Sequence, residues 1–203
     1  MSTAGPAFFS VVAGGLPTVT LNPSDKASTI TLSSGNLVAT KGSPDAYGSV
    51  RATRSINAAT ENGYFEMFVS VAAHPSYLIV GVAPSGLSLT SFPGATSTSW
   101  GYYQDTGQKY NNNTPATYGA TFTTNDVIGV AVKNGKIWFA KNNTWQASGN
   151  PAAGTGEAFS GLTGSVFPCF ALFRFSPADR IGARFSTAAF TYSPPSGFDP
   201  WGG

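Results

Sequence analysis

The dipeptide Asn134-Gly135 restricts the fold of this chain more than any other feature of the sequence. Apolar residues alternate on both sides of it, from 127 to 133 and from 136 to 141. Asn-Gly favours a type I′ turn, because both central residues of that turn need a positive φ and its twist matches that of the flanking strands. The segment therefore predicts a two-stranded antiparallel hairpin with a two-residue turn.

Closing the hairpin at this turn fixes its register and its two faces. The cross-strand pairs are Lys133 with Lys136, Val132 with Ile137, Ala131 with Trp138 and Val130 with Phe139. Side chains alternate across a strand, so one face carries the large aliphatic residues and faces the core. The other face carries both lysines and Trp138, and two like charges favour a direction toward water. We therefore expect Trp138 either to be covered by the chain's own arm or loops, or to contact a partner subunit.

Turn-forming and aromatic residues are abundant in this chain, whereas charged residues are scarce. The 203 residues include 24 glycines and 14 prolines, 13% are aromatic and 10% are charged, against roughly 25% charged in an average globular protein. Short alternating apolar segments recur between the turn-forming clusters, and no sustained helical period is visible. A second sheet is needed to cover the apolar face of such strands. The sequence therefore predicts an all-β, two-sheet antiparallel sandwich with minimal helix.

Charge and cysteine content argue against several classes of protein. Eleven basic and nine acidic residues give a net charge of +2 and are scattered, so no basic stripe for nucleic acid is present. Cys169 is the only cysteine, which excludes an internal disulfide and a cysteine metal cluster. The sequence shows no signal-peptide pattern and no long apolar segment. We expect a protein made in the cytoplasm, without membrane insertion.

Residues suited to catalysis are few. The sequence has one histidine, His74 before a proline, and one cysteine, which lies in an apolar strand and reads as a core residue. The carboxylates are isolated, and no phosphate-binding loop or metal-ligand spacing is present. We predict a non-catalytic protein without a cofactor or a metal. A carbohydrate hydrolase with two carboxylates brought together by folding is the weaker alternative.

The loop at 105–118 offers the richest surface chemistry. Its Tyr110, Asn111, Asn112 and Asn113 combine a rigid ring with adaptable amides, as antibody loops do. Amides and a ring could equally hold a sugar. Trp145 lies on a second polar loop. We predict that these five residues bind a ligand; the alternative is that the asparagines merely turn the chain. Trp100 and Tyr118 are expected in the core.

The chain divides into three parts by composition. Residues 1–19 read as an N-terminal arm with an apolar patch of Phe8, Phe9, Val11 and Val12, residues 20–192 as the sandwich and residues 193–203 as a C-terminal tail. A hydrophobic arm that becomes ordered on a partner is a common docking device. We expect these four arm residues, together with Trp138, to form the contact with a partner or assembly.

Several segments, read in order, resemble the SPRY domain family, whose fold is a concanavalin-like β-sandwich. The segments are GSVRATRSI, GYFEMFV, YLIVGVA, WGYYQDTGQKYNNN, TYGATFTTNDVIGVAVKNGKIWFAKNN, VFPCFAL and SPPSGF. The resemblance covers about residues 20 to 200. It implies recognition of partners through loops gathered at one end of a rigid sandwich.

The Thr-, Asn- and Ala-rich sequence with a short arm is similar to stand-alone SPRY proteins of tailed-bacteriophage virions. We hypothesise a structural and binding module of a phage particle, either a capsid decoration or a tail-associated surface protein. Its partners would be capsid or tail proteins, a host-surface glycan or protein for host attachment, or a second copy of the chain. The expected location is the virion, after synthesis in the host cytoplasm. The alternative is an intracellular SPRY adaptor that recognises a short peptide through its loops.

Overall fold

The computed structural model describes residues 18–73 and 77–201. These residues form sixteen strands and one 3₁₀ turn, Gln146–Ser148. The strands in chain order are β1 (Leu21–Lys26), β2 (Ile30–Ser33), β3 (Val38–Lys41), β4 (Gly48–Ala52), β5 (Ile56–Asn57), β6 (Asn62–Val71), β7 (Ile79–Ala83), β8 (Trp100–Tyr103), β9 (Lys109–Asn111), β10 (Thr114–Ala116), β11 (Val127–Lys133), β12 (Lys136–Lys141), β13 (Thr144–Trp145), β14 (Phe159–Ser160), β15 (Ser165–Leu172) and β16 (Arg180–Arg184). Within this part of the chain, no helix is long and apolar enough to cross a membrane.

Two antiparallel sheets of eight strands make up the sandwich. The first sheet has the order β1-β4-β15-β7-β8-β9-β10, with β5 paired to β15. The second has the order β13-β12-β11-β6-β16-β3-β2, with β14 paired to β12. The predicted all-β, two-sheet architecture with minimal helix is therefore confirmed.

The core lies between the two sheets and is built from alternate residues of their central strands. Phe65 of β6 meets Phe170 of β15 edge to face, with ring centroids 5.6 Å apart, so this pair joins the two sheets. Trp100 and Tyr118 are also buried in this core, as the sequence predicts. The inward face of the central hairpin contributes the aliphatic residues expected of it. Alternation along each strand thus decides which side chains are buried here.

The hairpin at Asn134-Gly135 has the predicted turn and register. Asn134 and Gly135 have φ values of 52° and 69°, as a type I′ turn requires. β11 and β12 pair Lys133 with Lys136, Val132 with Ile137, Ala131 with Trp138 and Val130 with Phe139. The two residues of the turn therefore determine the pairing of the whole hairpin.

The segment after β16 packs on the sandwich and returns to its core. β16 pairs with β6 no further than Glu66, which leaves the backbone of Tyr64 open on that side. Residues 199 to 201 fill this gap, since Tyr64 N donates to Asp199 O at 2.8 Å and Trp201 N donates to Tyr64 O at 2.9 Å. The Trp201 side chain is fully buried in the main core. The described part of the predicted 193–203 tail is thus packed against the sandwich.

A buried carboxylate holds the segment that crosses the outer face of the second sheet. Glu66 is fully buried. Its two oxygens accept hydrogen bonds from Thr191 N at 2.7 Å, Tyr192 N at 2.9 Å and the Tyr64 hydroxyl at 3.0 Å, and Arg184 Nη1 lies at 3.3 Å. A buried charge is tolerated when its oxygens are hydrogen-bonded and paired in this way.

Trp138 lies on the predicted outward face, yet it is only 1% exposed. Its indole N–H donates to Thr155 O at 2.9 Å, and Phe198 packs edge to face on its ring at 6.1 Å. The loop before β14 and the segment after β16 therefore cover it. The prediction of a partner or assembly contact is wrong for Trp138, because the chain's own residues leave no indole surface for a partner. The other predicted alternative, cover by the chain itself, is the one observed.

Candidate functional site

The outer face of the first sheet carries a cluster of aromatic side chains. In β8, Tyr102 points into the core, so Tyr103 points outward. Ile79 of β7 and Ala171 of β15 lie beside Tyr103 on this face. The rings that pack around them come from β9 and from loops, so residues distant in sequence meet on one face of the sheet.

Six rings form a closed circuit on this face, each in contact with the next. The centroid distances around the circuit are 4.8 Å for Tyr47–Phe92, 5.9 Å for Phe92–Tyr110, 5.6 Å for Tyr110–Tyr103, 6.1 Å for Tyr103–Tyr77, 4.9 Å for Tyr77–Phe173 and 5.1 Å for Phe173–Tyr47. These separations lie in the favourable range for aromatic pairs, about 4.5 to 7 Å. Tyr103 is buried, and the other five residues are half-buried. We call these six residues the aromatic face.

A glycine on β8 brings Phe92 into the circuit. A Cβ atom on Gly101 would lie 2.0 Å from the carbonyl oxygen of Pro93, so any side chain there would push the loop off the sheet. With glycine, the loop lies flat on β8. Its position is held by Ser99 Oγ, which accepts the Gly94 N–H at 2.9 Å. Phe92 is thereby placed between Tyr47 and Tyr110.

An ion pair and an exposed phenylalanine border the aromatic face. Arg174 Nη1 donates to Asp45 Oδ2 at 2.7 Å, and Asp45 Oδ1 accepts the Phe175 N–H at 2.9 Å. These two hydrogen bonds hold the pKa of the Asp45 carboxyl below its ordinary value, the backbone bond being the larger cause. Among the residues that the structure describes, Phe175 is the one large hydrophobic side chain that is exposed, at 44%. The border therefore exposes the ring of Phe175, and the Asp45–Arg174 ion pair holds the backbone there in place.

A second carboxylate, fully buried, ties three segments together beneath the aromatic face. Asp179 Oδ2 accepts the backbone N–H groups of Phe173 and Arg174 at 3.2 and 2.8 Å, and Oδ1 accepts that of Ala73 at 3.1 Å. The backbone of Asp179 also accepts the Lys41 N–H at 2.9 Å. The strand end before Gly42 and the loop that carries Phe173 are thus held by one residue.

Lys41 lies under the loop at 42–47 and is 2% exposed. Its ammonium donates to Gly42 O at 2.5 Å and to Pro44 O at 2.6 Å. Burial lowers the pKa of Lys41, and the nearby charges of Asp45 and Asp179 oppose that shift. The lysine therefore orders the loop that leads to Tyr47, and it presents almost no positive charge to solvent.

Two phenol groups of the aromatic face, those of Tyr47 and Tyr103, are shifted away from ionisation. Burial is the largest cause that raises the pKa of Tyr47 and of Tyr103 well above the ordinary value of a tyrosine. For Tyr103, the neighbouring phenol of Tyr47 and the carboxylate of Asp105 act in the same direction. The phenols of Tyr47 and Tyr103 are therefore neutral near pH 7.

Of the predicted ligand-binding residues, Tyr110 belongs to the aromatic face. The Asn111 amide donates to the carbonyl oxygens of Thr96, Ser97 and Ser99 at 3.3, 3.1 and 2.8 Å, so it holds the chain's own loop. Asn112 and Asn113 have φ values of 52° and 55° and form the turn between β9 and β10, with exposed side chains. The alternative that the asparagines serve the chain's own turns therefore explains the side chain of Asn111 and the backbone conformation of Asn112 and Asn113.

The remaining predicted site residues do not join Tyr110. Trp145 is half-buried against the cluster around Trp138, on the outer face of the second sheet. Its role in binding stays a prediction. Phe8, Phe9, Val11 and Val12 lie outside the described residues, as does His74. The docking role of the four arm residues therefore also stays a prediction.

Cys169 is a core residue, as predicted from its apolar strand. It is fully buried, and burial raises the pKa of its thiol to about 12, so the thiolate is disfavoured. Within residues 18–73 and 77–201, no three His, Cys, Asp or Glu side chains come close enough to hold a metal ion.

Sequence reasoning missed five of the six aromatic-face residues and the border of Asp45, Arg174 and Phe175. Strand alternation could have identified Tyr103, since it neighbours the core residue Tyr102. Tyr47, Tyr77, Phe92 and Phe173 lie in loops or just beyond strand ends, where no period marks a face. Their common location is a property of the tertiary structure.

The family follows from a comparison with known families. The model of the SPRY domain matches residues 62–181, more than half of the chain. The chain belongs to the SPRY domain family. The matched region includes β6 to β15 and five of the six aromatic-face residues, since Tyr47 precedes it.

Several curated animal proteins are similar to this SPRY chain. Ran-binding protein 9 of Danio rerio is 33% identical over 178 residues, which are 84% of this chain and 28% of that protein. Ran-binding protein 9 of Homo sapiens is also 33% identical, over 84% of this chain and 23% of that protein. Ran-binding protein 10 of Danio rerio is 33% identical over 84% of this chain and 28% of that protein. The chain thus spans about a quarter of the length of these relatives.

Solved structures show the same fold at lower identity. The SPRY domain of human HERC1 gives a TM-score of 0.66 at 18% identity, covering 81% of this chain and 96% of that one. A human SPRY domain gives a TM-score of 0.59 at 18% identity, covering 77% and 94%. These similarities support the fold of this SPRY chain.

Proposed function

We propose that this SPRY chain is a non-catalytic protein-interaction module that binds a short peptide segment of a partner protein on the aromatic face. The observation that carries this proposal is the closed circuit of six rings with the exposed Phe175 at its border. Aromatic residues dominate the energetics of protein interfaces because they supply a large contact area at low entropic cost. Membership of the SPRY family, whose members are protein-binding modules, supports the same conclusion.

The support beneath the rings favours binding with little rearrangement. Tyr103 and Tyr110 lie on paired strands β8 and β9, and the loops that carry Phe92 and Phe173 are held by hydrogen bonds to Ser99 and Asp179. A surface that is ordered before binding loses less conformational entropy on association. A short peptide could therefore bind to this face without a large interface.

Of the two hypotheses drawn from the sequence, the SPRY adaptor that recognises a short peptide agrees better with the similar proteins than the module of a phage particle does. Similar curated proteins come from fish, mammals, frogs and a fly, which favours a partner protein of a cell over a phage particle. The name of the relatives states that they bind Ran, but the aligned region is about a quarter of their length. We therefore propose a peptide ligand in a partner protein without carrying over that partner.

Peptide selection followed by surface substitution tests this function. Dodecapeptides selected from a random display library on the whole chain are measured by fluorescence polarisation against the wild type, Phe175→Ala and a control, Thr31→Ala. Thr31 is exposed on β2 of the other sheet. We expect Phe175→Ala to weaken binding about tenfold or more, the effect of a hot-spot residue, and Thr31→Ala to leave it unchanged. A second variant, Phe92→Ala, is measured in the same way. The proposal would be overturned if no peptide were selected, or if both Phe175→Ala and Phe92→Ala bound the selected peptides as tightly as the wild type does.

A further inference from the structure

One side of the aromatic face already holds a cation of the chain itself. The guanidinium carbon of Arg174 lies 5.6 Å from the ring centroid of Tyr77 and 5.8 Å from that of Phe173. Both distances are within the roughly 6 Å limit for a cation–π interaction. Asp45 completes the arrangement through its 2.7 Å bond to the same guanidinium. The fold thus shows, with its own side chain, how rings and a carboxylate on this face bind an arginine.

The opposite side of the circuit has two rings and no cation of the described chain. Tyr103 and Tyr110 meet edge to face with centroids 5.6 Å apart, and no lysine or arginine within the described part of the chain lies over either ring. Asp105 is half-buried in the turn that joins β8 to β9, two residues after Tyr103. Tyr103 N donates to Gln108 O at 2.8 Å and Gly107 N donates to Tyr103 O at 3.1 Å, which closes this turn beside the two rings. Tyr103 itself is buried, so Tyr110 offers the ring surface on this side, with Asp105 in the adjoining turn.

The charged groups in and under the face leave it favourable to a positive ligand. The carboxylates of Asp45 and Asp105 stand at its border, and the guanidinium of Arg174 is bonded to the first of them. The ammonium of Lys41 is buried and bonded to two carbonyl oxygens of its own loop. A carboxylate of a ligand near Tyr103 would meet like charge from Asp105 and the negative faces of the rings.

From this complementarity we infer that the aromatic face selects a peptide that carries an arginine or a lysine close to apolar residues. The apolar residues would lie on the rings near Phe175, and the cation would bind on the partly exposed ring of Tyr110 with Asp105 as its counter-ion. The inference rests on the proposed function, because it names the chemistry of the peptide that the same face binds. The proposed function does not specify the charge of the peptide, whereas this inference predicts a preference for positive charge.

Three matched tripeptides test the preference directly. N-acetyl-Phe-Pro-Arg amide, the same peptide with citrulline and the same peptide with glutamate are titrated into the ¹⁵N-labelled whole chain, and amide shifts at Tyr103, Tyr110 and Phe175 report binding. Citrulline keeps the size and most of the hydrogen-bonding groups of arginine but has no charge. We expect the arginine peptide to bind about fivefold more tightly than the citrulline peptide, in line with a partly exposed cation–π contact, and the glutamate peptide to bind most weakly.

A substitution at Asp105 identifies the counter-ion. In Asp105→Asn, we expect the advantage of the arginine peptide over the citrulline peptide to fall to about twofold or less. Asp199→Asn, an exposed carboxylate on the segment after β16, serves as the matched control and should keep the full advantage. Raising the salt concentration should reduce the advantage in the wild type, because exposed charges are screened.

The outcomes separate this inference from the proposed function. Equal binding of the arginine and citrulline peptides, tighter binding of the glutamate peptide, or an advantage that survives Asp105→Asn unchanged would overturn the preference for a cation while leaving the peptide site in place. If none of the three peptides shifts the amides of the aromatic face at millimolar concentration, the result counts against the peptide site itself.

Discussion

Trp201 packs edge to face against Phe65, with ring centroids 5.3 Å apart and ring planes at 89°. The two residues are more than 130 positions apart, and their contact places the end of the described chain inside the main core. The Trp201 indole N–H is satisfied there by Arg54 O at 3.0 Å. A residue of the predicted tail is thus a core residue, and the stability of the sandwich depends on it.

We expect Trp201→Ala to lower the free energy of unfolding by about 3 to 5 kcal/mol, as large-to-small changes of buried aromatic residues do. The loss combines the burial of the indole with the cavity left against Phe65. Urea denaturation followed by circular dichroism measures it. Trp145→Ala is the control, since Trp145 is half-buried and its removal should cost less. Equal losses in the two variants would contradict the core position of Trp201.

Substitution of the buried carboxylate of Glu66 should loosen the segment that crosses the second sheet. Glu66→Gln removes the charge and one acceptor oxygen from a group that accepts hydrogen bonds from Thr191 N and Tyr192 N. Hydrogen bonds to charged groups contribute about 1.5 to 3 kcal/mol, so we expect a destabilisation of that order and faster amide exchange at 191 and 192. Glu157→Gln, in a partly exposed ion pair with Lys136, is the control. Unchanged exchange at both amides would argue against this role.

Asp179→Asn should disorder the border of the aromatic face. An asparagine has one acceptor oxygen, whereas Asp179 uses two to bind Ala73, Phe173 and Arg174. We expect faster amide exchange at 173 and 174 and a several-fold loss of affinity for peptides that bind the aromatic face. Asp126→Asn is a matched control, because Asp126 also binds a backbone amide, that of Thr123, but lies away from this face. If both variants lost the same affinity, the effect would be one of general stability.

The loss of folding stability at low pH should depend in part on Asp126. Burial acts to raise the pKa of this carboxyl, but the hydrogen bonds from Thr123 N and Asn142 Nδ2 and the charge of Lys141 outweigh it, so the pKa lies below 3.8. A carboxyl whose pKa is depressed in the folded state stabilises the protein above its unfolded pKa, and this contribution is lost as the pH falls through the folded pKa. We therefore expect wild-type stability to decline as the pH falls below about 4.

The Asp126→Asn variant should show a flatter decline over the same pH range. Thermal melts between pH 2.5 and 6 measure the difference between the two proteins. Because the asparagine side chain of this variant cannot titrate, the gap in melting temperature should narrow as the pH falls. A gap that stays constant across this range would show that the carboxyl of Asp126 does not titrate with a depressed pKa.

Local chemistry determined the hairpin and the sandwich. The turn at Asn134-Gly135 needs only two residues with positive φ, and side-chain alternation then fixes which face of β11 and β12 is apolar. Both properties depend on near neighbours in the chain, so the register and the two-sheet architecture follow from the sequence alone. Repeated apolar alternation without a helical period likewise implies strands that must stack.

Long-range packing decided what lies over the outer faces. Trp138 is covered by Thr155 and Phe198, and the aromatic face joins Tyr47 to Phe173 across more than 120 positions. Loops lack the regular alternation of apolar residues that marks a strand. The spacing of residues in the sequence therefore predicts neither the cover over the Trp138 indole nor the circuit of rings. Buried carboxylates hold the segments involved: Asp179 accepts the amide N–H of Arg174, and Glu66 accepts that of Tyr192. Such hydrogen bonds join residues distant in sequence, so they exist only once the sheets have formed.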